Sequence, residues 1–482
     1  MRSIITIHRP GASPAANINP APPNWWQRFI KVSREHLAHA ARQSPARLAV
    51  MVFLIVIALF TLLLMMPWAT SSGLRGASLL DALFTATSAT TVTGLTVVET
   101  GSYWSGWGLV VILIAIKVGG LGIMTVASIF GRIVSKRIGL TQRMLAAQES
   151  KTDRLGELRS LLRVVLVTST LLEVLVMVML FPRFLALHED IGQAAWRSIF
   201  YGISAFNNAG FSPTPGGIPP YAGDWLVLVP LMLGVFIGAL GFPVILNILN
   251  TRKNRRRAWK NWSIHTKLTL ITSLTLVLLG ALAFALLEWD AVFADMGTGR
   301  SILNSFFASV MTRSGGFHTV DIASMSESSL LVTDALMFIG GGSASTGGGI
   351  KVTTLAVMLL AIRSEARGDK DIEVMGRRIP RDITRLAISV LMVGFSAVFT
   401  ATLMLLTITD MSLDIILFEV LSAFGTVGLS TGITAALPDA GRVLLIILMF
   451  VGRTGTITFA AALAQRDRRR IIRYPEERPI IG

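Results

Sequence analysis

The chain has 482 residues, 52% of them hydrophobic and only 15% charged, with a mean hydropathy of +0.64. A soluble globular domain carries about a quarter charged residues, so the composition excludes that class and points to an integral membrane protein. The net charge of +16 would suggest a nucleic-acid partner, but 34 of the 44 Lys and Arg fall in five segments, 1–47, 132–160, 250–267, 363–385 and 466–478. Such segments mark the cytoplasmic side, so both termini are read as cytoplasmic and nucleic acid is excluded as a partner. Cysteine is absent, so no disulfide forms.

In chain order, residues 1–45 form a cytoplasmic segment. They lack the apolar core of a cleavable signal. Residues 1–24 read as disordered and 25–45 as a basic surface helix, with Trp25, Trp26 and Phe29 at the lipid headgroups. A membrane-crossing helix needs about 20 mostly apolar residues. Leu48 to Trp68 is the first. A short reentrant helix is expected over 79–90, then a long span over 107–131. After a basic loop, Leu161–Phe181 spans, 197–209 reenters and Trp225–Leu249 returns, kinked near Pro243 and the glycines before it. A third round has a span at 268–287, a reentrant helix at 301–313 and a return from about 329 to 362. That return holds Gly340, Gly341, Gly342, Ser343, Ala344, Ser345, Thr346, Gly347, Gly348 and Gly349. Glycine costs a helix about 1 kcal/mol each, so a break is expected there. Irregular backbone at membrane depth persists only inside protein or beside a water-filled cavity, so the stretch reads as a flexible plug in an ion path. It lacks the phosphate-loop pattern G-x-x-x-x-G-K-[ST]. The last round spans 383–408, reenters at 414–426 and returns over 441–464, and a basic tail covers 465–482.

The rounds share a register. Gly94, Gly210, Gly316 and Gly428 each follow a phenylalanine by ten residues (Phe84, Phe200, Phe306, Phe418) and precede a large apolar residue. Ser-Ala stands six and five residues before the glycine in three copies, at Ser88-Ala89, Ser204-Ala205 and Ser422-Ala423, and Val310-Met311 in the third. Self-similarity at near-constant spacing marks a repeated structural unit. The residues ending at each glycine are Thr91-Val92-Thr93-Gly94, Asn207-Asn208-Ala209-Gly210, Arg313-Ser314-Gly315-Gly316 and Gly425-Thr426-Val427-Gly428. Each reads as a tight, uncapped strand after a short helix. Glycine permits backbone angles that turn successive carbonyls to one side. Rings of carbonyls can replace the water shell of K⁺, and helix C-termini aimed inward favour a cation. The alternative is four ordinary turns at helix ends.

The expected fold is therefore an all-α integral membrane protein. Four pseudo-symmetric units of span, reentrant pore loop and span, eight transmembrane helices in all, surround one central pore. The units are 46–131, 161–249, 268–362 and 383–464. Charged residues inside spans are functional candidates. Arg453 is either a fixed positive charge on the ion path or a structural arginine that satisfies backbone carbonyls of a neighbouring broken helix. Lys351 is open to either role. Lys117 is read as structural, snorkelling or paired with Glu173. Arg313 is expected to turn its side chain toward an acid, with Asp81 and Asp321 as candidates. The six histidines form no metal pair, and neither G-x-S-x-G nor H-E-x-x-H occurs, so no enzyme chemistry is read.

The motifs Thr-Val-Thr-Gly-Leu (91–95), Phe-Asn-Asn-Ala-Gly-Phe (206–211), Thr-Arg-Ser-Gly-Gly-Phe (312–317) and Phe-Gly-Thr-Val-Gly-Leu (424–429) resemble the four pore loops of the Trk/Ktr/HKT potassium transporter superfamily, most of all its KtrB branch. The resemblance covers residues 46 to 464. It implies a potassium-translocating subunit of a bacterial cell membrane, homodimeric in lipid, with a cytoplasmic nucleotide-binding regulatory subunit of the KtrA type. It also implies K⁺ at the filter as the transported ion, Na⁺ as a candidate activator, and no cofactor of the chain's own, nucleotide being bound only by the partner. The filter glycines map onto Gly94, Gly210, Gly316 and Gly428, the gating loop onto 340–350 and the cavity arginine onto Arg453. Two positions depart from the pattern: the triple glycine 347–349, where a bulkier residue is usual, and Lys117, where an uncharged polar one is. The alternative functions are a Na⁺-selective or Na⁺/K⁺ co-translocating member, against which Gly94 speaks, and a proton-coupled cation transporter.

Overall fold

The computed structural model describes residues 45–73, 76–122, 154–188, 190–251 and 258–464. The N-terminal segment up to residue 44, the tail from 465, the end of the first return span beyond 122 and most of the basic loop 132–160 lie outside the described residues.

The main helices are α1 (Pro45–Leu64), α2 (Leu79–Thr91), α3 (Gly106–Gly120), α4 (Arg154–His188), α5 (Ile191–Phe206), α6 (Trp225–Leu240), α7 (Phe242–Thr251), α8 (Ile264–Glu288), α9 (Thr298–Met311), α10 (Glu327–Phe338), α11 (Val352–Ala366), α12 (Arg381–Ile408), α13 (Leu413–Gly425) and α14 (Asp439–Ala464). Many start at a side-chain cap, as short polar residues before an apolar run dictate. Ser78, Ser105, Asp190, Asp224, Ser263 and Ser326 each accept a backbone N–H from the first turn.

Among the described residues, three helical stretches are long and apolar enough to cross a membrane alone: Val164–Leu187, Ile264–Glu288 and Arg381–Ile408. The pair α6–α7 adds a fourth if its 94° bend lies within one span, and Ala49–Leu64 and Gly106–Gly120 are shorter apolar helices. Leu278, Leu282, Phe395 and Phe399 are all more than half exposed on two of these helices. So large an apolar exterior fits a lipid environment rather than water.

The four short helices α2, α5, α9 and α13 lie inside this shell. Each packs against the helix that closes the preceding round: α3 on α5, α6 on α9, α10 on α13, and α14 back on α2. The last contact closes the circle, and Arg442 near the start of α14 pairs with Asp81 in the first turn of α2 at 3.5 Å.

Two features go beyond the sequence reading. The basic connection between α11 and α12 forms an antiparallel hairpin, Ile372–Val374 with Arg377–Ile379. Met375 and Gly376 turn it, both with positive φ, the two-residue geometry that matches strand twist. Ile379 is buried in a small cluster with Val357 and Ala387. The second return helix is not merely kinked but broken at Gly241, where φ is +92°.

Candidate functional site

The break at Gly241 has a chemical cause. Pro243 has no N–H, so the carbonyl of Ala239 loses its helical donor. Gly342 N–H supplies one at 2.7 Å. The neighbouring groups follow: Thr346 N–H donates to the Gly238 carbonyl at 3.3 Å, and Phe242 N–H donates to the Ala344 carbonyl at 3.3 Å. Two broken helices thus satisfy each other's backbone. The chain between α10 and α11 is held as a packed loop, closed by Gly340 N–H to the Ile350 carbonyl at 2.8 Å. Ser343 bonds Thr353 at 3.0 Å, and Lys351 Nζ donates to the carbonyls of Gly347 (2.7 Å) and Gly348 (3.3 Å).

The four glycine-ended strands meet in the centre. In every copy the residue two before the glycine is left-handed: Val92 (φ 55), Asn208 (59), Ser314 (74) and Thr426 (48). Such angles are a genuine departure for Val and Thr and persist only where surroundings enforce them. The glycines themselves have φ of +95, +69, +74 and +91. Their vacant Cβ directions run round a ring. A Cβ on Gly94 would strike the carbonyl of Ala209; on Gly210, the Cα of Gly316 at 2.8 Å; on Gly316, the carbonyl of Val427 at 2.7 Å; and on Gly428, the carbonyl of Thr93. The spatial order is therefore first, second, third, fourth and back to the first.

Contrary to the sequence reading, strands one and four are capped, by the serines of their Ser-Ala pairs. Ser88 Oγ accepts Gly94 N–H at 3.0 Å and Ser422 Oγ accepts Gly428 N–H at 3.1 Å. Ser204 Oγ instead donates to the Phe211 carbonyl at 2.8 Å. In the third copy Val310 has no hydroxyl, and Gly315 and Gly316 N–H turn back to Met311 O at 2.8 and 3.4 Å. Ser314 Oγ ties strands three and four together through the Thr426 carbonyl at 2.7 Å, and Thr91 and Thr93 share a hydroxyl bond of 2.7 Å.

At the glycine end lies a vestibule of about 460 Å³, bordered by Gly94, Gly210, Gly316 and Gly428, with Glu99 and Asp321 in its wall. Glu99 accepts Ser102 Oγ and Gly216 N–H, each at 2.6 Å. Those bonds hold its carboxyl below the ordinary 4.5, slight burial opposing them. His318 beyond the third strand is pushed below its ordinary value by burial, against the pull of Asp321.

At the opposite end lies the 340–349 loop. Thr346 Oγ1 donates to Asn208 Oδ1 at 2.7 Å. A Cβ on Gly347 would meet Ser314 at 3.1 Å, on Gly348 the Thr426 side chain, and on Gly349 Gly425 at 3.2 Å. The triple glycine is thus what lets the loop lie against strands three and four, while Thr346 holds it to strand two. Arg453 anchors it: Nη1 donates to the Thr346 carbonyl and Nη2 to the Gly119 carbonyl at 2.8 Å. Both contacts are to backbone carbonyls.

Lys117 forms the ion pair with Glu173 at 2.5 Å, and Glu173 also takes Asn207 Nδ2 at 2.8 Å, so the pair steadies the base of strand two. Arg313 does not behave as expected. Asp81 is taken by Arg442, and Arg313 Nε and Nη1 are buried without a hydrogen-bond partner among the described residues, the guanidinium lying 6.0 Å from the Phe236 ring. Nothing in the residue types signalled that choice.

A helical shell around four converging backbone turns, open on one side and closed by a loop on the other, defines the class of membrane transport proteins. The family description of TrkH, a cation transport protein, matches residues 31–468. The chain is 38% identical over 441 residues to the Ktr system potassium uptake protein D of Bacillus subtilis (strain 168), covering 91% of this chain and 97% of that one. It is 37% identical over 460 residues to the Ktr system potassium uptake protein B of the same organism, covering 94% and 100%. The crystal structure of the potassium transporter TrkH from Vibrio parahaemolyticus superposes with a TM-score of 0.63 at 20% identity, over 86% of this chain and 85% of that one. The chain belongs to the TrkH family of cation transport proteins, and it is a transporter rather than an enzyme.

Proposed function

We propose that the chain is the ion-translocating subunit of a Ktr-type system and takes up K⁺ through the ring of four strands. Potassium uptake is what the names of relatives at 37–38% identity describe, over nearly their whole length. The observation that carries the mechanism is the closed ring of the four glycines, each approaching the backbone of the next. In this reading residues 91–94, 207–210, 313–316 and 425–428 are the selectivity filter. Two positive-φ residues in each strand turn carbonyls toward one axis, where they replace the ion's hydration shell. The C-termini of α2, α5, α9 and α13 add their negative dipole ends. The four rounds are four span, pore-loop and span units with eight spans, α10 and α11 being halves of one. The vestibule faces outward, and the 340–349 loop, anchored by Arg453, is the gate on the cytoplasmic side.

The chain works as a homodimer in the bacterial cell membrane with both termini inside. A nucleotide-binding subunit docks on the basic face. The word "system" in the relatives' names supports such a partner. The test is potassium-limited growth of an uptake-deficient cell. The chain restores growth and Rb⁺ uptake, and Na⁺ competes weakly. Equal Na⁺ and K⁺ flux would instead identify the sodium-carrying alternative.

A further inference from the structure

The repeat holds a position that the filter reading leaves unused, nine residues before each glycine: Thr85, Tyr201, Phe307 and Glu419. All four side chains are buried. In two copies a polar head there reaches the chain beyond the glycine. Tyr201 Oη shares a hydrogen bond with Ser212 Oγ at 2.6 Å and donates to Thr214 Oγ1 at 2.9 Å. Glu419 Oε1 accepts Ser430 Oγ at 3.2 Å and also Thr434 Oγ1, and those two hydroxyls are 3.0 Å apart. Ser212 and Ser430 stand at the same place, two residues after the glycine, and both line the vestibule. The other two copies lack the link: Thr85 Oγ1 has no hydrogen-bond partner among the described residues, and Phe307 is apolar. Because the strands follow one another round the ring, the linked strands, two and four, face each other across it.

We infer that Tyr201 and Glu419 are positioning residues for ion discrimination, bracing the glycine ends of two opposite strands against the pore helices α5 and α13. The inference rests on the reading of the strands as a filter. Such a filter favours K⁺ only if its carbonyls do not close in around a smaller ion. A strand tied through hydroxyls to a fully buried side chain resists that movement more than one held by its own backbone. With one diagonal carrying a brace beyond the glycine and the other lacking it, the outer filter is two-fold rather than four-fold in stiffness. Tyr201 also sets its ring against Phe317, the residue after the third glycine, at 6.0 Å, and stacks on Phe184 at 5.6 Å. Phenylalanine at 201 therefore keeps the packing and removes only the bonds.

The experiment uses the full chain in uptake-deficient cells and measures KM and maximal rate for K⁺, Rb⁺ and Na⁺ at equal membrane amount. Tyr201→Phe and Glu419→Leu are each expected to lower the K⁺ over Na⁺ preference and raise the K⁺ KM by about 3- to 10-fold, the effect of one or two lost hydrogen bonds. Glu419→Gln keeps an acceptor oxygen for Ser430 and Thr434 and stays within about twofold of the parent. Ser212→Ala reproduces part of the Tyr201→Phe change, and the double variant is less than additive. Gly94→Ser serves as the reference. If it alters preference while Tyr201→Phe and Glu419→Leu keep parental KM and preference, the braces are refuted and the filter stands. Loss of rate only in proportion to lost protein also refutes them, because it marks a purely structural role. If Gly94→Ser too is without effect, the filter reading falls with them.

Discussion

At Gly94 a hydrogen atom lets the second strand approach, since a Cβ there would collide with the Ala209 carbonyl. Its φ of +95° is also one that a side chain resists. Gly94→Ser therefore pushes on the neighbouring strand rather than on its own. The expected result is a K⁺ over Na⁺ preference lowered roughly tenfold, about 1.4 kcal/mol. Gly428→Ser, aimed at the Thr93 carbonyl, acts alike. Competition of Na⁺ with Rb⁺ uptake reads both; parental competition in both variants would end the filter assignment. Glu99 gives a pH test at the same scale. Its carboxyl is held below 4.5 by Ser102 and Gly216, so the stabilisation from those bonds is complete above the unfolded value and disappears as pH falls through the lowered one. Uptake KM should stay flat from neutrality to about pH 5, worsen only below the ordinary carboxylate range, and lose this acid limb in Glu99→Gln.

Helix breaks decide behaviour at the next scale. The 340–349 loop is not loose backbone waiting for water, because the break in the second round feeds it donors and acceptors at Gly238, Ala239 and Phe242. Proline at 243 and the glycines of the loop are two halves of one device. Deleting 342–348 should raise the maximal K⁺ rate severalfold and leave selectivity intact, since strands one and four keep their own caps. Some stability is lost with it: each backbone group left buried and unpaired costs about 1–3 kcal/mol. Arg453→Ala acts in the same direction by freeing the Thr346 and Gly119 carbonyls. Pro243→Ala restores an N–H that competes with Gly342 for the Ala239 carbonyl, and its effect is smaller. Uptake rates at equal surface amount check all three. A rate at or below the parent for the inserted deletion variant would leave the loop a packing feature.

The whole molecule closes on itself through α14 packing on α2, so one chain completes the ring of strands. What it lacks is any nucleotide-binding motif. In the proposed assembly, the hairpin carrying Arg377 and Arg378 is the described part of the basic surface on which a soluble subunit docks. Purification from native membranes is expected to bring down such a nucleotide-binding subunit, and flux with it should respond to ATP and ADP. A lone chain whose flux ignores both nucleotides would count against that assembly.

The repeat, the apolar runs and the glycine-rich stretch are local properties, and local properties were legible in the residues. Register alone singled out four glycines 106 to 116 residues apart, and helix propensity alone forbade a continuous helix through 340–349. Membership of the potassium transporter superfamily followed from the same motifs, and the comparisons bear it out. The pairing of Lys117 with Glu173 was legible from residue type, but most other partners were not, because they depend on how the chain folds back on itself. The Ser-Ala pairs were visible as a pattern, but that Ser88 and Ser422 cap strands one and four appears only when helix and strand are folded back together. Arg313 was assigned an acid by charge alone, yet Asp81 lies nearer Arg442. Tyr201 and Glu419 share a register position but no chemistry, so the repeat conceals their common partner position. Spacing along the chain fixed which backbone had to bend. Only tertiary packing decided which distant carbonyl, hydroxyl or charge would meet each bend, because those contacts span up to 361 residues and no periodicity carries that information.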